Sequence, residues 1–209
     1  YYFVYSSILS HELCYATSRF PDRDFQFGGI LVSIGDLGLA GNSQAMNYTG
    51  NTHGGMVQLG QQWYIFYHRQ TNKQCCARQG CAEPITIRPD GSIPQAELTS
   101  CGLNGGPLRG SGTYEARIAC HLGYSEPSFG YIAVREPDTR HPYFTQSGTD
   151  REDNPDQYIA NMAQGAWCGF KYFDFRGQTG VQVVTRGDAQ GRLLVSLGKD
   201  AAPFAEVPI

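Results

Sequence analysis

Hydrophobic and polar residues alternate in short runs along the first half of the chain, which is the pattern of half-buried β-strands. Predicted strands cover residues 1–7, 11–18, 27–33, 56–59, 63–68 and 82–88. The clearest hairpin joins the fourth and fifth of these strands through Gly60-Gln61-Gln62, and Pro89-Asp90-Gly91 predicts a further turn. Residues 36–51 are rich in Gly and Asn and are expected to form a loop. No stretch keeps a period of 3.6 residues over three turns, so any helix is short.

The glycine-rich segment Thr99–Gly112 is predicted to be a linker between two units. Beyond it, residues 137–155 are polar and are expected to form a long loop. The other short strands predicted there cover residues 114–122, 131–134, 157–161, 166–175, 181–186 and 192–197. Short strands spaced by about ten residues are typical of a β-sandwich. We therefore expect an all-β chain with one unit at 1–105 and an incomplete, jelly-roll-like sandwich at 106–209.

The composition agrees with a β-protein and excludes several partners. The chain has 26 Gly, 13 Tyr and 11 Phe residues, which suit strands and tight turns. Its net charge is −3 with 17% charged residues, so it offers no basic surface for a nucleic acid or an anionic membrane. No apolar run reaches the ~20 residues of a membrane span. Both ends fall inside extended apolar segments, and we expect both to be cut.

The seven cysteines are an odd number, so they cannot all pair with one another within the chain. One alternative is a zinc site at His68, Cys75, Cys76 and Cys81. The spacing lacks a Cys-x-x-Cys pair, however, and therefore favours buried free thiols, either alone or together with one disulfide.

Histidine 53 is the first candidate for a functional residue. Gly50, Gly54 and Gly55 flank it directly before a predicted strand, where backbone approaches a ligand closely. The alternative interpretation is a solvated turn histidine. His68 and Arg69 end an aromatic strand whose main role is expected in the core, and they are weaker candidates.

Other charged residues admit more than one interpretation. Ser10-His11-Glu12 cannot form a catalytic relay, because neighbours on a strand point to opposite faces. Glu12 is either a general acid or a surface residue, and the latter is favoured. Arg78 and Glu83 either form an ion pair or orient a ligand, and the sequence alone leaves both alternatives open.

Four consecutive motifs carry a resemblance to a known family: Tyr-Tyr-Phe-Val-Tyr-Ser-Ser (1–7), Ser-His-Glu-Leu-Cys-Tyr-Ala-Thr-Ser (10–18), Asn-Thr-His-Gly-Gly-Met-Val (51–57) and Trp-Tyr-Ile-Phe-Tyr-His-Arg (63–69). Together with Cys-Ala-Glu-Pro-Ile (81–85), they resemble the later blades of glycoside hydrolase family 43, of the β-xylosidase and α-L-arabinofuranosidase type. Residues 169–175 and 181–187 resemble a following β-sandwich like carbohydrate-binding module family 6.

This resemblance implies the last blades of a five-bladed β-propeller and an inverting cleavage of xylan- or arabinan-type hemicellulose. The three carboxylates of such an enzyme are expected upstream of Tyr1, so no catalytic residue is assigned within this chain. His53 matches a histidine on the floor of the sugar pocket that often holds a hydrated calcium or other ion, and Arg78 matches an arginine that reaches the substrate.

The resemblance also implies xylo- or arabino-oligosaccharides as partners and a secreted or periplasmic location in a bacterium. It implies no required cofactor, and calcium is the structural ion that it admits. The alternative function is a noncatalytic carbohydrate-binding or scaffold protein.

Overall fold

The computed structural model describes residues 1–125, 141–148 and 156–209, and within these ranges the chain is built from β-strands. The helical elements found there are three short 3₁₀ turns, Leu39–Gly41, Gly102–Asn104 and Ala116–Ile118. The all-β prediction is confirmed. No helix in the described ranges has the length and apolar character needed to cross a membrane.

The first sheet contains β1 (Tyr2–Ser6), β2 (Glu12–Thr17) and β3 (Gln26–Ser33), each antiparallel to the next. Its central strand is buried because its side chains are covered on both faces. Gly28 makes room for the ring of Tyr15, since a Cβ at this glycine would lie 2.1 Å from that ring. The three predicted strands of this region are confirmed.

The second sheet contains β4 (Gly55–Leu59), β5 (Gln62–Thr71) and β6 (Gln74–Ile85) in the same up-and-down order. Gly60 has φ of 63° in the first turn, and Asn72 and Lys73 have φ of 54° and 52° in the second. Positive φ at the first central residue, as in the first turn, or at both central residues, as in the second, joins antiparallel strands with a tight turn. The predicted hairpin is confirmed, but β6 begins earlier than the predicted strand 82–88, because residues 74–81 already pair with β5.

The main core lies between the two sheets and is filled by aliphatic and aromatic side chains. Leu31 and Ile65, one from each sheet, are completely buried. Burying such a side chain contributes roughly 1.5–3 kcal/mol. The buried members of this core are Leu13, Tyr15, Leu31, Val32, Ile65, Tyr67, Ile85, Ile93, Ala96, Leu98 and Cys120.

The second half of the chain consists of short paired strands. They are β7 (Leu108–Arg109) with β12 (Phe173–Asp174), β8 (His121–Gly123) with β11 (Trp167–Gly169), β9 (Tyr143–Ser147) with β10 (Asp156–Ala160), and β13 (Arg192–Val195) with β14 (Ala205–Pro208). The first of these pairs is parallel and the others are antiparallel. The predicted strands at 157–161 and 192–197 are confirmed, with shifted ends.

Four predictions for this half are wrong. The predicted strand 114–122 contains the 3₁₀ turn Ala116–Ile118 and pairs only from residue 121, and the predicted strand 166–175 is divided into β11 and β12. Residues 181–186 form no strand, and Val184 is 91% exposed, because β-branched residues need a pairing strand and a buried face to form a sheet. The predicted loop 137–155 contains β9, whose Phe144 is buried against Tyr48. The predicted strand 131–134 and the remainder of that loop lie outside the described residues.

The glycine-rich segment predicted as a linker is bonded to the strands that follow it. The Leu108 amide donates to the Tyr172 carbonyl at 2.8 Å, and the Gly110 amide donates to that of Asp174 at 2.8 Å. Cys120 lies in the same core as the two sheets. The division at 105/106 and the sandwich assigned to 106–209 stay predictions.

Candidate functional site

His53 lies in the loop that enters β4, and its side chain is exposed. Its ring stacks on that of His68 on β5, with centroids 5.3 Å apart and planes inclined by 23°. The backbone N–H of His53 donates to Nδ1 of His68 at 3.1 Å. One histidine is therefore presented to solvent while a second holds the loop that carries it.

The hydrogen bonds of His68 assign its tautomer. Because Nδ1 accepts from His53, the ring proton sits on Nε2, which lies 3.1 Å from Oδ1 of Asn51 and donates to it. Partial burial lowers the pKa of His68, and the charge of Arg78 and the neighbouring His53 lower it further. A neutral His68 is the form that satisfies both partners.

Gln70 supports the same loop from below. It is completely buried, and its Nε2 donates to the side-chain oxygen of Asn51 at 2.6 Å and to the Asn51 carbonyl. Thr52 adds a bond from its hydroxyl to the His68 carbonyl at 2.9 Å, and its amide donates at 3.1 Å to the carbonyl of Ser10 in the turn between β1 and β2. The hydroxyl of Ser6, at the end of β1, donates to the Thr52 carbonyl. The loop 51–53 is thus fixed to both sheets.

Arg78 lies on β6 directly opposite Gln70 in the strand register, and it is exposed. Its charge contributes to the lowered pKa of His68. The structure therefore brings both candidate residues, His53 and Arg78, to the same end of the second sheet. Arg69, the neighbouring candidate, is 6% exposed and donates to the carbonyls of Arg117 and Ala119 at 2.6 Å, so its role is structural.

The two glutamates considered from the sequence are both buried. Glu83 accepts from the amide and the hydroxyl of Thr99, each at 2.7 Å, and from the Tyr67 hydroxyl at 3.4 Å. Burial raises the pKa of Glu83 to about 7, although its hydrogen bonds with Thr99 act in the opposite direction. Arg78 and Glu83 are five residues apart on one strand and so lie on opposite faces.

Glu12 is also buried, with the Cys14 thiol as a weak donor at 3.7 Å, so the favoured interpretation as a surface residue is wrong. The alternation of apolar and polar residues does not predict the burial of Glu12, because β2 is covered on both faces. His11 bonds to Ser33 at 3.1 Å rather than to Ser10, in agreement with the rejected relay.

Sequence reasoning missed a second polar cluster and most of the support for His53. Asp36 accepts from His121 at 2.7 Å, from Lys171 at 3.2 Å and from the Leu98 amide at 2.8 Å. These partners are 62 to 135 residues distant in sequence, and no local pattern indicates such pairs. Asn51 belongs to the motif at 51–57 that resembles family 43, whereas no feature of the sequence distinguishes Gln70.

The donors around His53 do not fit a directly bound calcium ion. Calcium takes six to eight oxygen ligands, usually including carboxylates. The side-chain oxygen that contacts His68, Oδ1 of Asn51, already accepts from His68 and Gln70. Within the described ranges, no three His, Cys, Asp or Glu residues lie close enough together to hold a metal ion. The described side chains of the zinc alternative, those of His68, Cys76 and Cys81, therefore form no such group.

A cleft of about 620 Å³ lies at the other end of the first sheet. Tyr2, Tyr15, Phe20 and Asp90 contribute to its walls. The start of β1 and the end of β2 line this cleft. The turn at Ser10, whose carbonyl accepts from the His53 loop, lies at the opposite end of these strands, so the cleft and the His53 loop are separate. We place the candidate site at His53 and Arg78, because His53 is exposed above a buried hydrogen-bond network and the exposed Arg78 is close enough for its charge to act on His68 in that network.

Gly54 is required where the loop passes β5. A Cβ at this position would lie 1.8 Å from the Phe66 carbonyl oxygen, whereas a Cβ at Gly55 would meet nothing within 4 Å. We expect Gly54→Ala to lower the free energy of unfolding by about 1–3 kcal/mol, since backbone cannot move aside as a side chain can. Urea denaturation measures this. Gly55→Ala is the matched control, and equal losses in both variants would contradict the steric explanation.

A curated protein matches the chain from end to end. It is named "Xylosidase/arabinosidase", comes from Thermoclostridium stercorarium, and is 44% identical over 213 aligned residues, covering 100% of this chain and 45% of the relative. The chain is related to a xylosidase/arabinosidase. The predicted resemblance to glycosidases of this type is confirmed. The chain spans less than half the length of that relative.

Solved structures of family 43 enzymes also match. A GH43_1 enzyme from Xanthomonas citri complexed with xylotriose is 30% identical, covers 45% of this chain and 26% of its own, and has a TM-score of 0.36. A family 43 arabinoxylan arabinofuranohydrolase from Bacillus subtilis is 18% identical, covers 76% and 31%, and has a TM-score of 0.38. No family model matches the chain.

Proposed function

We propose that these residues form part of an inverting glycoside hydrolase that cleaves O-glycosidic bonds in xylan- or arabinan-type hemicellulose. The observation that carries the proposal is the end-to-end similarity to a protein named xylosidase/arabinosidase. In this proposal the two three-stranded sheets are propeller blades, and the protein is secreted or periplasmic. Its ligand is a xylo- or arabino-oligosaccharide.

His53 and Arg78 are the residues that we assign to the sugar. The exposed imidazole of His53 can donate to or accept from a hydroxyl group, and the exposed Arg78 guanidinium offers several donors at the same end of the second sheet. A calcium ion near His53 would be held through its water molecules, since direct oxygen ligands do not surround this ring. These two side chains bind and orient the substrate.

The acid and base of the reaction are assigned to the part of the protein upstream of Tyr1. An inverting glycosidase needs two carboxyl groups roughly 6.5–9.5 Å apart on opposite sides of the bond that breaks. Glu83, the one described carboxyl whose pKa is raised to about 7, is buried and bonded to Thr99 on the face opposite Arg78. It lies in the interior and, in this proposal, does not face the sugar.

The full-length protein containing these 209 residues tests the proposal. Purified protein should release the phenol from an aryl xyloside or an aryl arabinofuranoside. NMR should show that the sugar first released has the inverted anomeric configuration. The 209-residue chain alone should show no turnover above a buffer blank, since loss of a general acid typically costs ~10²–10⁴ in rate. Turnover by the short chain would place an acid among residues 1–209.

In the full-length protein, His53→Ala is expected to lower kcat/KM at least tenfold, on the order of 1.4 kcal/mol of transition-state stabilisation. The melting temperature should change little, because the side chain is exposed. Steady-state kinetics and a thermal melt measure the two quantities. His53→Gln should recover part of the activity, because it keeps a hydrogen-bonding group. Wild-type kinetics in His53→Ala would remove His53 from the site.

A noncatalytic carbohydrate-binding or scaffold protein is the second candidate. It is favoured because Glu12 and Glu83, the two glutamates considered for the site, are both buried and therefore offer no acid to a ligand. Binding of the full-length protein to insoluble xylan without release of reducing sugar would support it against the enzyme.

A further inference from the structure

We propose that His68 is the positioning residue of this site, and that it acts through the hydrogen bond from the His53 backbone N–H to its Nδ1. This inference rests on the proposed function, since it assigns a task within the same sugar site. His68 touches no substrate in this scheme. It determines where the exposed ring of His53 lies.

The first argument is the direction of the hydrogen bonds. Asn51 and His53 stand on either side of the Thr52 backbone, and His68 binds both, accepting from one and donating to the other. A side chain that accepts at one ring nitrogen and donates at the other fits these partners in a single tautomer. The ring therefore holds the loop at two points and in one orientation.

The second argument is that His68 is itself held rigidly. It lies within β5, which pairs with β4 on one side and β6 on the other. Its carbonyl accepts from the Thr52 hydroxyl at 2.9 Å, and its Asn51 partner is fixed by completely buried Gln70. A functional group is placed accurately when its support comes from ordered strands and from further hydrogen bonds.

The third argument is the contrast between the two rings. The His53 side chain is exposed and stacks on a single neighbour, whereas the His68 ring is half-buried and bonded at both nitrogens. An exposed ring on a loop loses its orientation when its support is removed. The effect of removing His68 should consequently appear in what His53 does.

Three substitutions separate the contributions of the ring. Asn places an oxygen near the position of Nδ1 and keeps the acceptor for His53. Gln places an amide near Nε2 and keeps the donor for Asn51. Phe keeps the stacked ring and neither bond.

We expect His68→Phe and His68→Gln to lower kcat/KM of the full-length protein about three- to tenfold, because both remove the hydrogen bond from the His53 N–H. His68→Asn should retain most activity, because it keeps this bond.

A double-mutant cycle decides whether His68 works through His53. If it does, adding His68→Phe to His53→Ala causes little further loss of kcat/KM, because the group it positions is already gone. The proposal would be overturned if the two losses of kcat/KM multiplied in the double variant, or if the Asn, Gln and Phe variants of His68 were equally active. His121→Phe is the control for a purely structural histidine, since His121 bonds to Asp36; it should lower stability without sharing the non-additivity.

Amide hydrogen exchange of the 209-residue chain provides a readout that needs no activity. The His53 amide should exchange faster in His68→Phe and His68→Gln than in wild type or His68→Asn, while Ile65 in the middle of β5 stays unchanged. An inactive full-length wild type combined with this exchange pattern would refute the glycosidase and leave the positioning role standing. Unchanged exchange at His53 in all three variants would refute the positioning role itself.

Discussion

Replacing Arg69 by methionine is expected to lower the free energy of unfolding by about 3 kcal/mol, because it leaves the buried Ala119 carbonyl without its donor and takes the charged donor from the Arg117 carbonyl. The guanidinium donates to Ala119 and Arg117 at 2.6 Å and to the Gln79 side chain at 3.0 Å. It also lies over the Phe144 ring, with Cζ 3.5 Å from the centroid. Methionine keeps much of the volume and none of these donors, so the loss measures the polar contacts and the cation–π contact.

Urea denaturation of the 209-residue chain gives this quantity, and lysine provides an internal comparison. Arg69→Lys keeps the charge but cannot reproduce the planar fork, so we expect an intermediate loss. Arg176→Met is the surface control, since that side chain is 83% exposed, and its unfolding should match wild type. An Arg69→Met protein as stable as wild type would show that these buried contacts contribute nothing net.

The sequence predicted the strands of the two sheets well, because each carries its own pattern of apolar residues and turn residues. The hairpin of β4 and β5 is the best case, since alternation and Gly60 agree with each other. The role of Arg69 was beyond such reasoning. Its acceptors belong to residues 48 and 50 positions later, and only the folded chain brings them together.

The candidate site was predictable in part for the same reason. His53 was found because glycines surround it, and Arg78 because its motif resembles a known family. The bonds of His68 and Gln70 to the His53 loop follow from strand register, which sets which residues lie opposite one another. The missed burial of Glu12 and Glu83 has a further cause, since alternation does not reveal that both faces of a strand are covered.

The stability difference between wild type and Glu83→Gln is expected to depend strongly on pH. The pKa of Glu83 rises from 4.5 to about 7 on burial, so the folded state keeps a proton that the unfolded state has lost between these values. The stability that depends on a neutral Glu83 carboxyl is therefore fully present below pH 4.5 and is lost as the pH rises to about 7. A shift of this size corresponds to about 3 kcal/mol.

Glutamine does not ionise and can keep the same partners, accepting from the Thr99 amide and donating to its hydroxyl. Glu83→Gln should therefore gain stability relative to wild type as the pH rises from 5 to 8, by up to about 3 kcal/mol. Urea denaturation at several pH values measures the difference. Glu206→Gln on the exposed terminal hairpin is the control, and a pH-independent difference for Glu83→Gln would contradict a protonated carboxyl in the fold.

The contacts of Arg69 also bear on the order of events during synthesis. At roughly 5–20 residues per second, a ribosome needs roughly 2 to 10 seconds to extend the chain from this arginine to its carbonyl acceptors, which lie 48 and 50 residues later. Throughout this interval β4, β5 and β6 can pair, but the guanidinium stays hydrated and the end of the sheet remains unsealed. The nascent sheet stays open to chaperones and proteases until residues 117–119 supply these acceptors and Phe144 covers the guanidinium.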